Sequence, residues 1–522
     1  MSRAAAAVDT RRSGAPLAAA LIAALCILLG SLLIFAASIS GKWLLLSIAV
    51  FLAIVVWCAV PDQRLFAVTL LAAAAPLGVQ YGLWSHGNRY YTFQHFGGAP
   101  PEPVINLVDG AIVLLAIMWC HDLAVGRRAL PRWTRLDTLV VVFLLLSTLS
   151  VCGATEHLLL TFEVLRYLKY VLLFWILRSY LDRPACLWWI LAASLAVAVF
   201  QGLVALAQYL YYFTVPVPVG GVAESSFEIY GGEVIQRVTG LLGHSNTFAA
   251  YLLLPIGFAL SILAARVRWR WRLAVLPALA MSLLALLLTY SRNGLLTLAL
   301  LVLLVLGVAL ATRRLPRLSL GYAGVAGLVV ALLVLGFGFD LAARRALRLT
   351  GQGGQEGLLG SVVTRITYDP GKAVESRWDL MLIAAEMVRQ HPLTGIGLNS
   401  FEENMARYDR TGTVNIIQQP VHNIYLLVAA ESGIPSLIVF VAIGLWLLRR
   451  ALRLLREPLE PAFVAGLVGL CALFALGFSN LFDLTMRKEP LVGMLTLVAA
   501  LLMAAPSWTG DTRAEAAQKA AL

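Results

Sequence analysis

Four polar motifs, three at the ends of long apolar runs and one inside a polar stretch, have residue types that suit the chemistry of phosphates and hydroxyls. Arg237 opens the stretch Arg237-Val-Thr-Gly-Leu-Leu-Gly-His244-Ser-Asn246. Arg292 sits in Tyr290-Ser-Arg-Asn-Gly294, a short link between two apolar runs. Arg377 begins a periodic segment inside a long polar stretch, and His422-Asn423-Ile-Tyr425 leads into another apolar run. Arginine keeps its charge at every working pH, and its fork of donors fits phosphate oxygens two at a time. A neutral imidazole can take a proton from a hydroxyl near pH 7. Cations that receive a departing anion, and a base that activates a hydroxyl, are the parts of a group-transfer site.

The elements that must position these groups are membrane helices. Sixty per cent of the 522 residues are apolar, 13% are charged and the mean hydropathy is +0.84. Soluble domains carry about twice that share of charge. The apolar runs are continuous rather than alternating, which points to helices and away from a transmembrane barrel. Runs of spanning length fall at 17–39, 43–60, 65–83, 104–121, 137–153, 158–178, 187–213, 246–265, 272–290, 294–312, 318–338, 423–448, 462–480 and 490–506. The sequence therefore predicts an all-α polytopic protein with about fourteen spans. Asn106, Asp109 and Asp137 make the fourth and fifth runs the weakest.

The net charge of +12 follows the same topology. With the N-terminus inside, the inner segments hold 23 Lys and Arg and the short outer segments 6. That bias is the positive-inside rule, not the mark of a nucleic-acid partner. It puts both termini in the cytoplasm and Arg237, Arg292, Arg377 and His422 together on the outer face. The organisation expected is 1–213, N-terminal spans; 214–338, central spans with the outer Arg/His motifs; 339–422, a large outer loop; and 423–522, C-terminal spans and an inner tail. Within the loop, Ser376 with Asp379 and Ser400 with Glu403 read as capping boxes opening two short helices. His391-Pro392 ends the first, and Gly395-Ile-Gly397 is a turn. Outer arginines such as Arg487 read as headgroup contacts.

Other chemistries lack their residues. There is no phosphate-binding Gly-rich Lys-Ser/Thr loop, no His-Glu-x-x-His, no Cys-x-x-Cys and no outer Asp-x-Asp. No metal or other cofactor is expected, and a bound diphosphate would have to be held by arginines. The six cysteines read as small buried hydrophobes. Glu163, Arg166 and Lys169, three apart along one run, either pair with each other or mark a path for a polar substrate.

Three segments carry a resemblance to the bacterial O-antigen ligase and polymerase superfamily. They are Arg237 to Tyr251, Ser291-Arg292-Asn293-Gly294, and a long-loop module. The module runs from Arg377-Trp378 through His391-Pro392-Leu-Thr-Gly395-Ile-Gly397-Leu-Asn-Ser-Phe401 and His422-Asn423-x-Tyr425 to Glu431-Ser-Gly433. Asn293 departs from the small residue expected in the second. The resemblance implies a GT-C-like, inverting, metal-independent glycosyltransferase of the bacterial inner membrane with a large periplasmic loop. Its donor would be a glycan on undecaprenyl diphosphate, and its acceptor a hydroxyl of lipid A-core or another glycan. Arg237 and Arg292 would neutralise the diphosphate and His422 would act as base or position the acceptor. Arg377, Asn246, His244, Asn423 and Tyr425 would bind substrate. A polysaccharide polymerase or a protein O-oligosaccharyltransferase would use the same site. A flippase or transporter is the alternative of a different class, and the one-sided placement of the polar residues speaks against it.

Overall fold

The computed structural model describes residues 60–78, 80–82, 104–155, 157–211, 227–230, 233–313, 371–410, 412 and 419–521. The chain divides into two units, Met1–Phe66 and Ala67–Leu522. Of the first only residues 60–66 are described; they start α1 (Gln63–Ala74), where the Asp62 carboxylate takes the N–H of Leu65 at 3.0 Å. The second unit holds all that follows.

Among the described residues, nine helices are long and apolar enough to cross a membrane. In order, the helices are α2 (Leu107–Ala124), α3 (Arg135–Leu149), α4 (His157–Tyr180), α5 (Ala185–Tyr211), α6 (Ser245–Ala264), α7 (Trp269–Ala274), α8 (Leu276–Leu288), α9 (Arg292–Ala311), α10 (Gly371–Gln390), α11 (Phe401–Tyr408), α12 (Ile424–Leu454), α13 (Glu460–Ser479) and α14 (Glu489–Ala521). α4 is of spanning length but carries Glu163, Arg166, Lys169 and Arg178. Two antiparallel ribbons complete the described chain. β1 (Gln80–Gly82) pairs with β2 (Val104–Asn106), and β3 (Phe227–Tyr230) with β4 (Glu233–Gln236). The expected spans at 17–39 and 318–338, and all but the last residue of 43–60, lie outside the described residues. The 65–83 run is helical only to Leu77.

The polar residues that weakened two expected spans are what start those helices. Asn106 and Asp109 form a reciprocal capping box at α2, and Thr134 and Asp137 form one at α3. Asp137 also receives Arg178 at 2.7 Å and the Trp175 indole at 3.0 Å, so its charge is fully engaged. At the centre stands α6, with every residue from Thr247 to Ala264 buried. A helix apolar on all sides belongs inside a bundle. It packs against α5, α8, α9 and α13, and Gly257 lets the Cys471 side chain of α13 come close. Cys186 and Cys471 are buried as expected, whereas Cys120 and Cys152 face outward from their helices.

α12 is broken, and the break builds the outer part of the molecule. Gly433 has φ of 83°, and Pro435 has no N–H to give to Glu431. The carbonyls left open are met from outside the helix: Ile396 N donates to Ala430 O at 3.0 Å, and Gly397 N to Glu431 O at 3.1 Å. Ile434 N turns outward to Pro392 O at 2.8 Å. Non-helical backbone within a span is tolerated where protein satisfies it in this way. The segment after His391-Pro392 is thus a clamp on α12, and its other side lies against residues 150–154: Leu398 N donates to Ser150 Oγ at 3.0 Å. A Cβ on Gly433 would stand 2.2 Å from Leu393 O, and one on Gly395 2.4 Å from Glu431 O. Gly433→Ala should therefore destabilise the protein by about 1–3 kcal/mol for the strained backbone alone, with the clash added. Thermal unfolding in detergent would register it as a lower midpoint.

Neither expected capping box in the loop forms. α10 starts at Gly371, which puts Ser376 inside the helix. Ser400 does stand at the N-cap of α11, but its hydroxyl turns to Leu398 O, and the N–H of Phe401 goes to the Glu431 carboxylate at 3.3 Å. A buried acid on the next helix has taken the work of the cap. α10 ends at Gln390 before Pro392, as expected, and lays Leu380, Ile383, Ala384 and Met387 against Ile424, Leu427 and Leu484.

Candidate functional site

The short segment that follows α13 gathers the site. Ser479 O accepts from the Asn293 amide at 2.9 Å, beside Arg292. Asn480 O accepts from Ile424 N at 3.0 Å, and Leu481 O from the Asn423 amide at 3.2 Å. Asp483 faces His422, with Nδ1 of the imidazole 3.6 Å from Oδ1. Asn480, fully buried, ties this segment back on itself through Thr485 Oγ1 at 2.9 Å and Met486 N at 3.0 Å. Five residues thus place the Arg292 turn, the start of α12 and His422 side by side.

The His422–Asp483 pair is an electrostatic unit. At 3.6 Å the atoms are too far apart for a good hydrogen bond, and Nδ1 is buried without one. Coulomb attraction at that distance acts whenever the imidazole carries a proton on both nitrogens. Burial pushes the Asp483 carboxyl up, but His422, and beyond it His244, outweigh burial and hold it well below the usual carboxylate range. The Leu484 N–H adds to this at 2.8 Å. Asp483 is therefore an anion throughout any working pH range. Its contribution to stability is complete above the unfolded-state value of about 3.9 and is lost only as pH falls through the lower folded value.

The expected site residues divide into exposed and engaged groups. Arg292 and Arg377 are exposed, and neither side chain makes an ion pair or hydrogen bond among the described residues. Ser291 caps α9 by accepting from Gly294 N at 3.2 Å, so Arg292 is the first residue of a fixed helix. Arg377 lies one turn before the packed face of α10. Arg237 is buried; its Nε donates to Thr289 O at 2.8 Å and its Nη2 to Asn246 Oδ1 at 2.7 Å. His244 caps α6, accepting the Thr247 N–H at 3.4 Å. Asn423 caps α12 through Tyr425 N and Leu426 N, both at 3.0 Å. Tyr425 donates to Gly477 O at 2.9 Å and packs edge-on to Phe440.

Below this mouth is a buried ionic network that includes two residues not singled out for chemistry. Arg487, expected to be a headgroup contact, is 5% exposed. It pairs with Glu431 and donates to Asn399 Oδ1 at 3.0 Å. Burial lowers its proton affinity, but Glu431, Glu163 and Glu402 outweigh burial and raise it. Arg166 pairs with Glu163 and donates to Arg487 O at 2.5 Å. Lys169 does not join them; it goes to Asp109 at 2.9 Å and Glu489 at 2.7 Å. The charges of α4 are thus spent on protein partners. Arg166, Glu431 and Arg487 form the polar end of a cavity of about 240 Å³ whose remaining wall is apolar, with Phe143, Tyr167 and Phe440 among its residues. It runs between α3, α4, α12 and α14.

Among the described residues no group of three His, Cys, Asp or Glu side chains is placed to hold a metal ion. Residues 277–441 match the family described as O-antigen ligase, a segment from the start of α8 into α12 that contains Arg292, Arg377 and His422. No curated protein matches the chain. The matched domain carries a glycosyl-transfer role in polysaccharide processing, with lipid-linked glycan and glycan acceptor as substrate classes. The spanning helices and the family match agree with a multi-pass bacterial membrane protein, and residues 277–441 place that part of the chain with the O-antigen ligase family.

Proposed function

We propose that the protein transfers a glycan from undecaprenyl diphosphate to an acceptor hydroxyl on the periplasmic face of the inner membrane, with inversion at the anomeric carbon. The observation that carries this reading is His422 beside the Asp483 carboxylate, next to a helix that begins with an exposed arginine. The acceptor hydroxyl gives its proton to His422, and its oxygen attacks the anomeric carbon. The bond from that carbon to the diphosphate breaks, and the electron pair leaves with the diphosphate. Arg292 and Arg377, both open to a ligand, meet the charge that grows there. Arg237 acts from behind as a buried cation that fixes the turn leading to Arg292. Asn423 and Tyr425 position His422 through the α12 cap and its packing. The apolar cavity between α3, α4, α12 and α14 suits the isoprenoid chain of the donor. In this reading the domain boundaries at 214, 339 and 423 put the Arg237 and Arg292 turns in the central segment, and Arg377, the clamp and His422 in the loop segment.

In proteoliposomes holding the lipid-linked glycan and an acceptor, the protein should release undecaprenyl diphosphate only when acceptor is present. Arg292→Ala should lower kcat by about 10²–10³, the cost of removing one preorganised donor from a developing oxyanion. Arg292→Lys should recover part of that, since it restores charge but not the fork. An unchanged rate in Arg292→Ala would remove the arginine from the mechanism. Asp483→Asn should lower kcat, because the anion that stabilises the positive charge His422 gains with the acceptor's proton is gone. An unchanged rate would remove Asp483 from the mechanism.

A further inference from the structure

A second candidate ligand site lies at the opposite end of α6. His244 starts that helix and Ala264 ends it, so the turn after Ala264 is about 30 Å from the Arg237 end by helical rise. That turn reads Arg266-Val-Arg268-Trp269-Arg270-Trp271-Arg272. Arg266, Arg268 and Arg270 are exposed, and Trp269 and Trp271 are 66% and 53% exposed. Glu460 takes the backbone N–H of Arg266, and the exposed guanidinium groups of Arg268 and Arg270 meet no acid among the described residues. Arg272 gives Nη2 to Ala265 O at 3.0 Å, while its Nε is buried with no partner.

Behind the turn is an apolar cavity of about 210 Å³ between α5, α6 and α8, lined by Trp188, Leu191, Leu195, Ile262, Trp271 and Ala278 among others. Apolar cavities of this kind stay dry and take apolar guests. Two of its lining residues, Trp188 and Trp271, leave their indole N–H without a partner among the described residues. Of the other described tryptophans, Trp119, Trp133, Trp175 and Trp508 donate to protein acceptors, while the exposed Trp189, Trp269 and Trp378 do not. The surface therefore offers guanidinium groups and two indole donors at the mouth of an acyl-sized slot.

We propose that this is a binding site for an anionic phospholipid, with the phosphate held by Arg268, Arg270 and the indole donors and one acyl chain in the cavity. Clustered arginines at a helix end, flanked by tryptophan, are the pattern by which membrane proteins hold anionic lipids. The excess of positive charge favours a net-negative headgroup over a zwitterionic one.

Native mass spectrometry of the full chain after exchange into phosphatidylglycerol or phosphatidylcholine tests this. The wild-type protein should retain phosphatidylglycerol preferentially. Arg268→Gln and Arg270→Gln together should weaken that retention about fivefold per arginine removed. Ala192→Phe, a substitution at an exposed residue of the cavity wall, should fill the slot and weaken retention with all arginines intact. Equal retention of the two lipids by the wild type would overturn the site. So would a preference that survives the double arginine substitution. Loss with the arginine pair but not with Ala192→Phe would reduce the surface to a charged patch and overturn the acyl slot.

Discussion

His422→Ala should lower the transfer rate by about 10²–10⁴, the range expected when a positioned general base is removed. The loss should fall on kcat, because donor binding rests on arginines rather than on the imidazole. The side chain is 16% exposed and stands 3.6 Å from Asp483, so some packing is lost with it. The substitution leaves the buried Asp483 without the imidazole that faces it, and a modest drop in thermal midpoint should accompany the kinetic effect. The two readouts separate the roles. A merely structural His422 would lose stability and activity in parallel, and lower assay temperature would restore the rate. A base would stay slow at every temperature at which the protein is folded.

Arg487→Ala should be the most destabilising single change, about 3–5 kcal/mol, because it strands Glu431 as a buried charge without a partner. The pair is 4% and 1% exposed, deeper than any surface bridge. Glu431 also caps α11 through Phe401 N, and Arg487 holds Asn399, which has φ of 60°. Loss of the arginine therefore loosens the clamp between residues 391–400 and the break in α12. Replacing both partners with apolar residues, Glu431→Leu with Arg487→Met, should recover most of the stability, since neither charge is then buried alone. Unfolding midpoints of the two single variants and the double would measure this coupling. Additive losses would show that the pair does not act as a unit.

Much of the bundle is legible in the sequence because lipid leaves a chain few choices. Eleven of the expected apolar runs correspond to helices in the described residues, and the polar ends that cast doubt on two of them are capping boxes. Depth is legible too: Arg237, Arg292 and His422 do share one end. Partnership is not. Arg487 stands at an outer helix end by the same signal as Arg292, yet one is buried against Glu431 and the other is open. Apolar periodicity records that a residue lies near the surface of the membrane, not which side chain from a distant helix meets it. Asp483 was missed for the same reason, although an acid at the outer end of a span where the other candidates gather is the signal that could have found it. The glycine motifs show the converse. Gly395, Gly397 and Gly433 carry the resemblance to the superfamily, and the structure gives the reason for Gly395 and Gly433 as close backbone contact across the α12 break, and for Gly397 as close approach to Ala154.

The most direct test of glycan transfer is a host lacking the gene, carrying either the wild-type chain or His422→Ala, with surface and lipid-linked glycans resolved on a gel. The account predicts that the deletion and the His422→Ala strain accumulate glycan on undecaprenyl diphosphate while the acceptor stays bare, and that the wild-type chain clears it. Acceptors bearing a single repeat, with the ladder of longer chains gone, would keep the chemistry and make the protein a polymerase. A normal glycan profile in the deletion strain, or full rescue by His422→Ala, would contradict the account.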